Sequence, residues 1–328
     1  MGLRKLPKRL FGRAFTAFVA MAFSVATLIV SAGTASADPA VDHGNGGRGY
    51  YLALGDSVAF GYRPPSATPL PNYQDPASFV SYANYVAQRL ALHLVNASCP
   101  GETTASMIDP KAISNGCENT LGETGGYRTY FPLHVSYTGS QLAFAVHFLE
   151  EHPNTRLVTI DVGADDAFFC QETTKGSCAS AKELGGVLNT IATNLAKIYH
   201  AIRVEAGFEG PIVALTYYSL SYASSAAGLQ QVALTNALNT AIDAPNLTFD
   251  VTVANGFEAF RWASLAHGGD PCAAGLLVRV PVSDSSAGLV GCNIHPSLKG
   301  HHVLADAIVQ ALLGRGYEGM VTSMGRAA

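Results

Sequence analysis

Tyr51-Leu52-Ala53-Leu54-Gly55-Asp56-Ser57-Val58-Ala59-Phe60-Gly61-Tyr62 changes character halfway along. From Tyr50 to Leu54 it is apolar on both faces and only a few residues long. That is the pattern of a strand buried on both sides of a parallel sheet. The run then stops at Gly-Asp-Ser. Open parallel sheets gather function just past the carboxyl ends of their strands, and a glycine there frees the backbone to project a serine hydroxyl into a crevice. Two readings fit the stretch: a nucleophile, or a turn in which Asp56 or Ser57 only caps the next segment. The rest of the chain has to separate them.

Outward from this stretch, strand-like and helix-like segments alternate. Residues 63–75 are rich in Pro and Ser and read as loop. Helical spacing of Phe79, Tyr82, Tyr85, Val86 and Leu90 predicts a helix over 78–92. Residues 92–97, 156–162, 211–217 and 247–253 read as four further strands. Residues 141–152, 179–206, 226–241 and 256–265 read as helices between or after them. Residues 117–139 and 266–293 look irregular, and a cysteine-closed loop follows residue 166. His295-Pro296-Ser297 opens a last helix bearing Val303, Ile308 and Leu312 on one face. Five strands interleaved with helices predict an α/β three-layer sandwich around a five-stranded parallel sheet.

The chain has 328 residues and opens with an export-type leader. Arg4, Lys5, Lys8, Arg9 and Arg13 precede an apolar run from Ala14 to Val30, and Ala35-Ser36-Ala37 offers an A-x-A cleavage site. The expectation is a signal peptide over 1–37 cut after Ala37, a flexible Gly-rich tail over 38–48, one domain over 49–328, and a secreted product. The leader holds five of the twenty Lys and Arg and none of the 24 Asp and Glu, leaving 15 basic against 24 acidic, or −9. That sign repels phosphate backbones, so nucleic acid is not expected as a partner. All six cysteines follow the leader, which in an oxidising compartment favours disulfides. They fall into three local couples, giving Cys99–Cys117, Cys170–Cys178 and Cys272–Cys292 as the expected pairs. No C-x-x-C knuckle supports zinc instead.

Four polar, Gly- or Pro-containing stretches stand out: Gly55-Asp56-Ser57, Cys99-Pro100-Gly101-Glu102, Gly163-Ala164-Asp165-Asp166 and Asn293-Ile294-His295-Pro296. The first three follow strands of one parallel sheet and so share a rim, where a nucleophile, oxyanion donors and a base could meet. In order and spacing the four resemble the blocks of the GDSL-type SGNH hydrolases, a family of esterases and lipases with a flavodoxin-like sheet. The resemblance implies Ser57 as nucleophile, His295 as base, and the backbone N–H groups of Ser57 and Gly101 as oxyanion donors. The residue chemistry agrees, since a serine hydroxyl needs a base within hydrogen-bond reach. His93, His147, His200, His301 and His302 all fall within or beside predicted helices. Only His295 sits at a loop-to-helix junction. A G-x-S-x-G elbow is excluded by chain order, because it needs several strands ahead of the serine.

Two positions depart from the family. Asp165 stands where the third donor is normally an asparagine; ionised, it would repel an oxyanion, and protonated, its O–H could donate. Cys292 stands three residues before His295, where the triad aspartate belongs. The expected outcome is a Ser57–His295 dyad whose imidazole is oriented by a backbone carbonyl, with Asp284 and Asp270 as the rival orienting groups. No phosphate-binding loop, dinucleotide fingerprint or H-E-x-x-H is present, so neither metal nor cofactor is expected. The reading is a secreted carboxylic ester hydrolase, an esterase or lipase, acting on a small-molecule or lipid ester with no stable protein partner. Tyr127, Tyr130 and Phe131 are candidate pocket lining. The alternative is a catalytically weakened acyl- or glycan-binding module of the same fold.

Overall fold

The computed structural model describes residues 49–286 and 288–317. The expected leader over 1–37, its cleavage after Ala37 and the tail over 38–48 lie outside the described residues. In chain order the elements are β1 (Tyr50–Gly55), α1 (Ser57–Phe60), α2 (Tyr82–Arg89), β2 (His93–Asn96), α3 (Thr104–Ile108), β3 (Asn119–Thr120), β4 (Glu123–Thr124), α4 (Tyr127–Tyr130), α5 (Gln141–Glu151) and β5 (Thr155–Asp161). There follow α6 (Ala164–Thr173), α7 (Ala181–His200), β6 (Ile212–Leu215), α8 (Ala226–Asp243), β7 (Val251–Ala254), α9 (Gly256–Ser264), β8 (Leu277–Arg279), β9 (Cys292–Pro296) and α10 (Leu298–Gly314).

The central sheet is parallel and five-stranded, in the order β2-β1-β5-β6-β7. β1 is buried from Tyr51 to Gly55, as its two-sided apolar sequence requires. It lies where successive strands are laid to opposite sides, β2 on one flank and β5 on the other. That reversal opens a crevice at the carboxyl ends. Layers of helices cover both faces: α2 packs on α10 and α10 on α9, while α3 packs on α5 and α7, and α7 on α6 and α8. Ile308 and Leu312 of α10 are fully enclosed as expected, but the third member of the stripe is Leu304, while Val303 is only partly buried at its edge. Caps fix where helices start: Ser81 and Asn84 form a capping box on α2, and Ser297 Oγ accepts from Gly300 N (3.1 Å) at the start of α10.

Several elements differ from the sequence expectation. The fifth strand begins at Val251, not residue 247, because Pro245 and Asn246 carry the chain through turns and Leu247 is 93% exposed. Helix α2 is shorter than 78–92, as Pro76–Ser78 form a separate 3-10 turn. The loop after residue 166 is largely helix α6. Within 266–293, β8 forms an antiparallel pair with β9. His295 and Pro296 belong to β9, so the last helix opens only at Leu298. The three disulfides join Cys99–Cys117, Cys170–Cys178 and Cys272–Cys292, the same pairs that locality suggests.

Candidate active site

Ser57 is the first residue of α1, and its Oγ lies 2.9 Å from His295 Nε2. Several contacts hold it there. Gly55, at φ 143°, ends β1 so tightly against β5 that a Cβ would sit 2.2 Å from Asp161 O, and only glycine allows that. Gln141, entering α5, acts as a detached strand edge: its Oε1 accepts from Gly55 N (2.6 Å) and its Nε2 donates to Gly55 O (3.1 Å). Asp56 caps α1, its Oδ1 accepting from Val58 N at 2.9 Å while Tyr217 OH donates to Oδ2. Asn96 Nδ2 donates to Ala59 O at 2.9 Å, tying the same turn to β2. Asp56 is therefore the residue that caps the turn, and Ser57 is the side chain left facing the histidine.

His295 is oriented by Asn293, not by a backbone carbonyl, Asp284 or Asp270. Asn293 Oδ1 accepts from His295 Nδ1 (2.5 Å) and also from His295 N (3.2 Å), while Asn293 Nδ2 donates to Ser286 Oγ (3.1 Å). A backbone N–H can only donate, so the amide oxygen must face the histidine. Nδ1 then carries the proton, and Nε2 turns its lone pair to Ser57. Asp284 is engaged by Ser283 Oγ (3.0 Å) on an exposed turn. Asp270 caps its own turn through Cys272 N (2.8 Å) and Ala273 N (3.1 Å). Cys292 is committed to its disulfide, which anchors β9 immediately before Asn293. Tyr218 OH donates to Ile294 O (2.7 Å), and the edge of Tyr62 meets the imidazole with centroids 4.9 Å apart. Burial, with no carboxylate to oppose it, lowers the His295 pKa to about 4.

Gly101 follows β2 in a left-handed conformation, φ 83°. The amides of Ser57 and Gly101 donate to no acceptor among the described residues. Asn115 N donates to Gly101 O (2.8 Å), and Asn115 Nδ2 donates to Asp165 Oδ1 (2.9 Å). Asn115 thus links the loop after β2 to the start of α6. Asp165 is buried there, and its pKa is raised well above the usual carboxylate range. Desolvation is the main cause, followed by the charge of Asp56, with Asn115's hydrogen bond opposing and Asp166 and Glu172 adding. Its neighbour Asp166 serves the scaffold. It accepts from Thr104 N (2.8 Å) and Thr104 Oγ1 (2.6 Å), joining α6 to α3.

Of the residues expected to line a pocket, Tyr127 is instead only 2% exposed, enclosed in an aromatic cluster with Phe60 and Phe79. Phe131 packs on that cluster, and Tyr130 is 52% exposed. Tyr62 joins the cluster to His295. The sequence reading missed Asn293, Gln141, Asn115 and Tyr62. Asn293 alone carried a local signal, an Asn two residues before a histidine, the spacing of an Asx turn.

The site thus sets the Ser57 hydroxyl against the His295 imidazole at the rim of a parallel α/β sheet, with the amides of Ser57 and Gly101 lacking an acceptor among the described residues. Residues 53–303 match the GDSL-like lipase/acylhydrolase family, and the chain belongs to that family. No curated protein matches the sequence. Among solved structures the chain is similar to a putative GDSL-like lipase from Parabacteroides merdae (13% identity, 80% of this chain and 94% of that one, TM-score 0.47). An acetylxylan esterase from Geobacillus stearothermophilus is similar too (15%, 80% and 94%, TM-score 0.43). So is a carbohydrate acetylesterase from Sinorhizobium meliloti (15%, 82% and 100%, TM-score 0.44).

Proposed function

We propose that the chain, as a single domain over 49–328 exported after cleavage at Ala37, hydrolyses carboxylic esters of small molecules or lipids through an acyl-enzyme on Ser57. The observation that carries the reading is the 2.9 Å contact between Ser57 Oγ and His295 Nε2, with Nδ1 held by Asn293. Ser57 Oγ attacks the acyl carbonyl as His295 Nε2 takes its proton. The carbonyl oxygen becomes an oxyanion received by the N–H groups of Ser57 and Gly101, with Asp165 beside them. The tetrahedral intermediate collapses, the C–O bond to the alcohol breaks, and His295 returns the proton to the leaving oxygen. Water then attacks the acyl-Ser57 ester with His295 again as base, releasing the acid. Asn293 holds the imidazole in the working tautomer throughout.

An intact Ser57–His295 contact favours the enzyme over a binding module, since a domain kept only for binding has no need to aim an imidazole lone pair at a hydroxyl. The test has two arms. A reactive organophosphonate should add its mass to Ser57, and a chain-length series of chromogenic acyl esters should turn over with Ser57→Ala as blank. A folded chain that is neither labelled nor active sinks the hydrolase reading.

A further inference from the structure

We infer that Asn115 supplies a third oxyanion donor, its side-chain amide standing beside the N–H groups of Ser57 and Gly101. The inference rests on the ester-hydrolase reading of the site. Asn115 lies against Gly101 by main chain: its N–H donates to Gly101 O (2.8 Å), and a Cβ added to Gly101 would stand 2.5 Å from Asn115 O. Its backbone is therefore packed directly on Gly101. The end of its side chain reaches Asp165 Oδ1 at 2.9 Å, in the first turn of α6. Asn115 thereby joins the Gly101 turn to the start of α6, the two stretches from which oxyanion donors are expected. Nδ2 carries two hydrogens, and the bond to Asp165 uses one. The second has no acceptor among the described residues. Nearby constraints make the placement rigid: the Cys99–Cys117 disulfide closes the loop two residues on, and Asn115 bridges to Thr120. Preorganised donors are what oxyanion stabilisation needs, because they cost no reorganisation when charge develops. Asp165, which accepts the amide's other hydrogen, is buried with Asp56 and Asp166 near it, and both effects raise its pKa well above the usual carboxylate range and favour its neutral form.

The test moves one amide across one hydrogen bond. In Asn115→Ala the expected result is a fall in kcat of about 10²–10³ with KM nearly unchanged, the cost of one lost oxyanion donor. Adding Asp165→Asn to that variant restores an amide on the other side of the same contact, and kcat should recover by about tenfold or more. Ser57 labelling and thermal midpoints are followed in parallel, so that a folding defect is visible. Three results overturn the inference while leaving the hydrolase reading standing: Asn115→Ala within about threefold of the parent, a fall that appears in KM instead, or a kcat loss that Asp165→Asn does not recover. A parent chain that neither labels at Ser57 nor cleaves esters refutes the hydrolase reading, and this inference with it.

Discussion

Replacing Asn293 by alanine removes the side-chain acceptor on His295 Nδ1 and leaves the serine, the disulfide and the strand pairing of β9 in place. In the ground state the lost contact is a hydrogen bond between neutral groups. In the transition state the ring becomes imidazolium, and a hydrogen bond to a charged group contributes about 1.5–3 kcal/mol. At roughly 1.4 kcal/mol per factor of ten, kcat/KM should fall about 10- to 150-fold, mostly in kcat. The assay is steady-state hydrolysis of a short chromogenic ester, paired with the rate of Ser57 phosphonylation, which needs the same imidazole but no substrate fit. Asn293→Asp provides the opposite arm. A carboxylate there can still accept from His295 N and Nδ1, and Ser286 Oγ can turn from acceptor to donor. Its charge favours the imidazolium, so the acid limb of the pH–rate profile should move upward from about 4. Alanine activity within about threefold of the parent, or an unmoved limb in Asn293→Asp, would refute the orienting role.

Three further outcomes follow from the same geometry. The active form carries neutral His295, so activity should persist into acid solution and disappear only as pH falls through about 4; a limb near the ordinary histidine value would contradict the burial that depresses it. Gly101→Ala forces a side chain onto Asn115 O and onto a left-handed φ of 83°, so kcat should drop by about 10² or more; near-normal turnover would remove Gly101 from the site. Gln141→Ala orphans Gly55 N, leaves Gly55 O with Cys99 N (3.0 Å) as its remaining donor, and removes a hydrogen bond to Glu102 Oε2 (2.9 Å), so urea unfolding should report a loss of about 1–3 kcal/mol for each group left dry and unpaired; an unchanged midpoint would show that Gly55 is held without it.

Much of this was legible in the chain because β1 is buried on both faces: nothing but apolar residues can fill Tyr51–Leu54, and the break at Gly55-Asp56-Ser57 marks where the strand reaches the rim. The same rule misled at residues 247–250. Leu247 and Phe249 read as strand, yet turn hydrogen bonds from Pro245 and Asn246 fold that segment and leave Leu247 in solvent. β8 was invisible because a three-residue strand has no pattern of its own; its register against β9 comes from a loop closed by Cys272–Cys292. Ser57 and His295 could be named since each ends or precedes a readable element. Their helpers could not. Gln141 reaches Gly55 from 86 residues away, and Asn115 reaches Asp165 from 50, partnerships made by the fold that leave no trace in local composition.

The two departures from the family are related by charge. An acid is missing beside the histidine, where Asn293 stands, and an acid is added at Asp165, beside the proposed oxyanion position. Were Asp165 ionised, both changes would raise the barrier: the imidazolium loses a neighbouring anion and the oxyanion gains one. The surroundings of Asp165 remove the second penalty. Burial first, and then Asp56, Asp166 and Glu172, raise its pKa well above the usual carboxylate range, with only the hydrogen bond from neutral Asn115 opposing. The proton therefore stays on below the raised pKa and leaves as pH rises through it. That sign predicts an alkaline limb in kcat that His295, already neutral there, cannot produce. Asp165→Asn has no proton to lose, so its profile should stay flat where the parent declines. Identical alkaline limbs in the two proteins would show that Asp165 does not sense the oxyanion.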